Sequence, residues 1–193
     1  MPNLTREQRP PAPAKIKILA VADDLFYTEG IHTVGVDRII ATAHVTKATF
    51  YKHYRAKELL IVAYVKRRDS LAREYVEGLR AKIDDPRDVL RALADEIGRE
   101  AQRPGFHGCP YINAAAQFSD PEHPVRQAVS EHRVWYHDTL SELFAAAGHP
   151  RPNEGADDLL LARDGALSGG NVGDSVAADA ALHRAVERIL NEN

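Results

Sequence analysis

The sequence has a single cysteine, Cys109, in 193 residues. No disulfide can form within the chain, and a metal site built on several thiolates, such as a zinc finger, is excluded. Long apolar runs are missing too. Nothing approaches the roughly 20 residues needed to cross a bilayer, and the proline-rich, charged start has no apolar signal core. These absences point away from membranes and export, toward a reducing, cytoplasmic setting. Aromatic residues are sparse, at 7%, and no segment alternates polar and apolar residues with a period of two, so strands are not expected. Repeats and low-complexity tracts are absent as well.

What the chain does have is an uneven distribution of charge. Its formal net charge is −3, yet residues 1–68 carry a net of +6 and residues 69–193 a net of −9. A basic head on an acidic body hints at a polyanionic partner for the head, because Lys and Arg near phosphates release condensed counterions.

Periodicity organises the rest as helices, about nine in all. Residues 1–13 (MPNLTREQRPPAP), with four prolines, suit a flexible basic arm. Ile18, Ala22, Leu25 and Phe26 repeat at the spacing of one helix face and Gly30 follows, predicting a first helix over 14–28. Val36, Ile39, Ile40 and Ala43 form a short second helix, and Val45, Phe50 and Tyr54 belong to a third that Thr46 can cap. A long helix over 56–83 crosses the charge boundary, and further helices are expected at 87–102, Ile112 to Phe118, from Pro124 to Gly148, at 154–169 and at 175–191. The fold class is all-α, with a helix-turn-helix head over 14–57 and a helical body over 58–193.

Two short helices joined by a tight turn inside a basic segment have a specific physical use. The first braces across the DNA backbone and the second lies in the major groove. Ile39, Ile40, Val45 and Phe50 can pin the pair together, small Ala43 lets them approach, and Thr46 leaves the first amides of the second helix aimed at phosphate. That second helix displays Lys47, Thr49, Tyr51, Lys52 and His53 outward, while Phe50 and Tyr54 read as core.

The segment VDRIIATAHVTKATFYKHYRAKELL resembles the DNA-binding core of the tetracycline-repressor (TetR) family of transcriptional regulators, from about Ile18 to Leu60. The resemblance implies a homodimer whose N-terminal three-helix head binds double-stranded DNA at an inverted repeat. It also implies a body that dimerises through its last two helices and encloses a pocket for a small-molecule effector. It assigns Thr46, Tyr51, His53 and Lys57 mainly to phosphates and Lys47, Ala48 and Thr49 to base edges; Arg38 on the bracing helix and Lys52 are further candidates. Two positions depart from the family pattern. His44 stands in the turn where Gly is usual, a place that tends to need positive φ, and Gly35 stands where Ser or Thr often caps the bracing helix.

For the body, the candidate ligand-binding residues are Cys109, Tyr111, Asn113, Phe118, His132, Trp135 and Tyr136, which any apolar core would also hold. The effector expected there is small and apolar or aromatic. Cys109 admits a redox role or, as the blander alternative, an inert buried thiol. His107, Cys109, His123, His132 and His137 lack metal-ligand spacing, so neither a metal nor a cofactor is expected. Leu160, Gly165, Ala166, Gly169, Ala181, Val186 and Leu190 offer small and apolar faces for a dimer interface, although Gly165-x-x-x-Gly169 could equally be loop punctuation. An enzyme is the rival from another class, and it lacks a nucleophile motif, a phosphate-cradling glycine loop and metal-ligand spacing. A constitutive DNA-binding dimer with no ligand is the other rival.

Overall fold

Proline opens five of the helices among the described residues. In the computed structural model, which describes residues 12–192, α1 (Pro13–Thr28), α5 (Pro86–Ala101), α6 (Pro110–Ala116), α7 (Pro124–Ala146) and α8 (Pro152–Val172) all open on proline. There its fixed φ suits the first turn and its missing N–H leaves no helical bond unmade. The remaining helices are α2 (Val36–Ala43), α3 (Lys47–His53), α4 (Lys57–Arg80) and α9 (Ser175–Leu190). Among the described residues the fold is all-α, with these nine helices and no strand.

This use of proline moves several expected boundaries. Pro13 belongs to α1, and the rest of the expected 1–13 arm lies outside the described residues apart from Ala12, the N-cap position. The sixth helix begins at Pro110 and ends at Ala116, so Phe118 falls beyond it. α8 runs on to Val172, which places Gly165 and Gly169 inside a helix and overturns their reading as loop punctuation.

The chain divides into two compact units between Tyr64 and Val65, later than the boundary expected at 57/58. The first unit takes in the opening turns of α4 because Leu60, Ile61 and Tyr64 are buried there, Tyr64 edge-on to Phe26 with ring centroids 5.8 Å apart. Its core also holds Ile18, Ala22, Leu25, Ile31, Val34, Ile39, Ala43, Phe50 and Tyr54.

The second unit packs α5, α7, α8 and α9 around one apolar cluster that includes Leu90, Leu93, Leu140, Phe144, Leu159, Leu182 and Ile189. α5 and α9 pair across a long stretch of sequence. Arg91 donates to both carboxylate oxygens of Glu187, at 2.6 and 3.1 Å. Gly98 leaves room for the Asp179 carboxylate, which a Cβ at that position would strike. No helix among the described residues is long and apolar enough to cross a membrane.

Candidate nucleic-acid interface and the interior of the body

The turn between α2 and α3 is closed by the helix itself. The His44 amide donates to Ala41 O at 3.1 Å and the Val45 amide to Ile40 O at 3.2 Å, the paired bonds of a Schellman stop. Such a stop requires a left-handed residue, and His44 supplies it at φ 50° and ψ 45°, the one non-glycine residue with positive φ among those described. The expected strain position is therefore occupied by histidine in the conformation glycine would adopt. Two residues later Thr46 caps α3. Its Oγ1 accepts from the Thr49 amide at 3.1 Å and lies 2.8 Å from the Thr49 hydroxyl. Gly35 opens α2 without a side-chain cap, as the sequence implies.

With Phe50 and Tyr54 fully inside, α3 turns Lys47, Ala48, Tyr51 and Lys52 to solvent, while Thr49 and His53 are half-buried. Tyr51 stays 42% exposed although it packs edge-on against Phe50 at 5.3 Å, so a rigid aromatic with a free hydroxyl end stands on the outer face. The cations are only loosely held. Lys47 lies 3.7 Å from Asp37 and Arg38 donates to Glu29 at 3.3 Å, both pairs well exposed. Pairs of this kind contribute about 0–1 kcal/mol, and phosphate can displace either acid. Lys57 is different: it sits half-buried with its ammonium 5.9 Å from the Phe26 ring centroid, and burial lowers its pKa.

Inside the body, a cluster of rings and charges gathers around His132. The Tyr111 ring lies flat on its imidazole, with centroids 3.6 Å apart and planes 9° from parallel. Trp135 and Tyr136 approach at 5.6 and 6.1 Å. His132 Nδ1 is 2.9 Å from Asp69 Oδ1, and Asp69 also accepts from Arg73 Nε at 2.7 Å. Burial lowers the His132 pKa to about 4, with the Asp69 bond opposing and the charge of Arg163 reinforcing. Burial pushes the Asp69 carboxyl up, but the bonds from Arg73 and His132 outweigh it and hold it below its ordinary value. A carboxylate only accepts, so Nδ1 carries the proton and donates to it, leaving Nε2 as an acceptor.

Four of the seven ligand candidates thus meet in one stack: Tyr111, His132, Trp135 and Tyr136. Cys109 is buried beside them, 3.9 Å from both Nη atoms of Arg163. Asn113 is engaged elsewhere, donating to His107 O at 2.6 Å, and Phe118 stacks on His123 at 4.1 Å. Trp135 is only half-buried, because Tyr136 takes the inward position; its ring carries the Arg73 guanidinium at 4.3 Å and lines a cleft of about 830 Å3 between α4 and α7. Sequence reasoning passed over Asp69, Arg73, Arg163 and Asp164. The only available signal was the four-residue spacing from Asp69 to Arg73, which on a helix makes a pair. Among the described residues no group of three or more His, Cys, Asp or Glu side chains is placed to hold a metal ion.

Between α8 and α9 a groove of about 560 Å3 is lined almost wholly by small residues, Gly165, Ala166, Gly169, Ala177, Ala178 and Ala181 among them. Leu160, Val186 and Leu190, expected at a dimer interface, are instead buried in the body's own core, since their helix faces point inward to α5 and α7. α8 and α9 also expose the apolar side chains Leu161, Val172 and Val176.

Residues 18–64 match the family described as bacterial regulatory proteins, tetR family. Over 92% of its length the chain is similar to a TetR-family transcriptional regulator from Streptomyces coelicolor, with a TM-score of 0.88 and 39% identity, covering 94% of that chain. The chain belongs to the TetR family. The crystal structure of reduced Escherichia coli NemR shares this TetR fold, with a TM-score of 0.81 at 22% identity over 91% of this chain and 96% of that one. Two curated regulators are related in sequence. The transcriptional regulator LmrA of Bacillus subtilis is 26% identical over 62% of this chain and 65% of its own length. The transcriptional repressor NemR of Escherichia coli is 25% identical over 59% of this chain and 58% of its own. The chain thus spans about three fifths of the curated relatives it matches. Within the TetR pattern, His44 replaces the usual turn glycine while keeping that residue's left-handed backbone.

Proposed function

We propose that this TetR-family regulator binds DNA as a homodimer at an inverted repeat, acts as a repressor, and is released when a small molecule binds in the body. The observation that carries the DNA-binding part is the α2–α3 unit. A self-closed turn and a threonine cap hold a short helix whose outer face carries Lys47, Ala48, Tyr51 and Lys52, within a segment of net charge +6. In this reading Thr46, Tyr51, His53 and Lys57 hold phosphates, Lys47, Ala48 and Thr49 read base edges, and Arg38 and Lys52 add charge. An isologous dimer would set two recognition helices about 34–36 Å apart, one turn of DNA.

The small-residue groove between α8 and α9, two helices that also expose Leu161, Val172 and Val176, supports dimerisation through this pair. A Cβ at Gly165 would meet nothing within 4 Å, so Gly165→Arg should leave the protomer folded and shift the mass in sedimentation from dimer to monomer. Release requires an effector that binds the DNA-free form more tightly than the DNA-bound one. The test is selection of bound sequences from random DNA, followed by anisotropy titration of the selected site. A Tyr51→Ala, Lys57→Ala double variant that binds the site as tightly as the unmodified chain would remove the proposal.

One observation favours a second reading, a constitutive DNA-binding dimer: Tyr111, His132, Trp135 and Tyr136 are packed on one another rather than around an open space. The two readings part on whether any compound loosens the DNA complex.

A further inference from the structure

The two ends of the recognition helix treat charge differently. At its start, Thr46 caps α3 and the nearby cations are matched by acids, Lys47 with Asp37 and Arg38 with Glu29. At its end, Tyr54 closes the helix, its amide donating to Phe50 O at 2.8 Å, and the chain runs through Arg55 and Ala56 into α4 at Lys57. Here the cations stand without acids. Arg55 is exposed, and among the described residues no carboxylate pairs with it or with Lys57.

A further cation reaches this end from the first turn of α1. The Lys15 ammonium lies over the Tyr54 ring, 5.9 Å from its centroid, and no carboxylate among the described residues pairs with it either. Tyr54 is 3% exposed and packs against Phe50 with ring centroids 6.3 Å apart, so the surface under Lys15 is part of the head's core and holds still. A long basic side chain lays its methylenes along such a surface and keeps its charge in water. Tyr54 follows His53 and precedes Lys57, both given to phosphates in the reading above. Lys15 and Arg55 therefore bring two more charges to the same end of α3. A cation with no acid of its own gives up only water and counterions when it meets a phosphate, whereas Lys47 and Arg38 must first leave a carboxylate.

We infer that Lys15 and Arg55 form a second phosphate clasp at the C-terminal end of the recognition helix, gripping the DNA backbone from α1 and from the α3–α4 turn. The contact positions the head on the duplex and carries no base information. It rests on the DNA-binding reading above and adds two residues that the TetR resemblance does not assign.

The test is anisotropy titration of the selected site with the full chain over a series of salt concentrations. Lys15→Gln and Arg55→Gln should each lower the slope of log affinity against log salt by about one unit per protomer bound, and the double variant by about two. Lys15→Arg and Arg55→Lys should restore the slope, and the order of preference among selected sequences should stay the same throughout. Lys17→Gln is the control for overall charge: Lys17 stands about 200° round α1 from Lys15 and should leave the slope unchanged. Replacing single phosphates by neutral methylphosphonates locates the contact, because one replacement that weakens the unmodified chain should cost Lys15→Gln nothing further. The inference is overturned if either Lys15→Gln or Arg55→Gln keeps the slope of the unmodified chain, if Lys17→Gln lowers it as much, or if either variant changes the preferred bases. Those results would leave the role of α3 itself standing. Failure of the unmodified chain to select any DNA site would sink the regulator reading and this inference with it.

Discussion

The head and the body handle charge in opposite ways. In the first unit, Lys47, Arg38, Asp37 and Glu29 lie at the surface, in pairs of 3.3–3.7 Å whose partners stay exposed. In the second, the His132–Asp69 and Arg163–Asp164 pairs are drawn inward, at 2.9 and 2.8 Å. Surface pairs are cheap to exchange, which suits a face that must trade its own acids for phosphates. Inward pairs are expensive to disturb, which, under the proposed function, suits a body that changes state only when a matching ligand arrives.

The largest expected effect breaks the head alone. Phe50→Ala empties a fully buried site and should cost the first unit about 3–5 kcal/mol. Calorimetry or circular dichroism should then show the head melting early while the body keeps its own transition; a single shared transition would mean that the two units do not respond separately.

Next in size is a pH effect confined to the body. Between its ordinary pKa of 6.5 and its folded value of about 4, His132 binds a proton in the unfolded chain but not in the folded one. Stability therefore falls as pH drops through that window, by about 3 kcal/mol in all for this group. Lower still, protonation of Asp69, whose folded pKa is depressed, removes its contribution too. The groups facing His132 are Asp69 and Arg73 from α4, Tyr111 from α6 and Arg163 from α8. His132→Gln keeps a donor for Asp69, and its denaturant midpoint should be nearly flat from pH 6.5 to 4.5, where the unmodified body declines.

Three smaller effects sharpen the comparison from the side of the head. Thr46→Ala should cost about 1 kcal/mol through loss of the α3 cap and weaken DNA binding as well, both readable by melting and anisotropy. Lys47→Ala should leave stability within about 0.5 kcal/mol, since its pair with Asp37 is exposed, and should lower the slope of log affinity against log salt by about one unit. His44→Gly relieves the left-handed strain and should raise the melting temperature slightly, by roughly 1 kcal/mol of stability, with no change in salt slope.

How much of this was legible beforehand also differs between the two regions. The head's turn rests on contacts within six residues: the stop at His44 and the cap at Thr46 are both local, and local chemistry is written in local sequence. The body's cluster joins residues 63 positions apart at His132 and Asp69 and 54 apart at Arg163 and Cys109, distances over which periodicity carries no information. Helix periodicity located most of the body's elements. It could not say that Tyr136 rather than Trp135 takes the inward position, nor that Val186 and Leu190 face their own core. The expected starts at Ile112 and 154 fall two residues late for α6 and α8, because proline occupies the first helical position in both.

The pairing of α5 with α9 bears on how the chain is made. Arg91 and Glu187 lie 96 residues apart, so α5 leaves the ribosome long before the helix that covers it. At a synthesis rate of about 5–20 residues per second the delay is roughly 5–20 s. For that time the buried side of α5, with Val89, Leu90, Leu93 and Ala94, lacks the helix it packs on. The head is a compact unit formed by the first 64 residues and can fold during the wait. Nascent chains halted before α9 should therefore carry a protease-resistant head and an α5 open to chaperone capture.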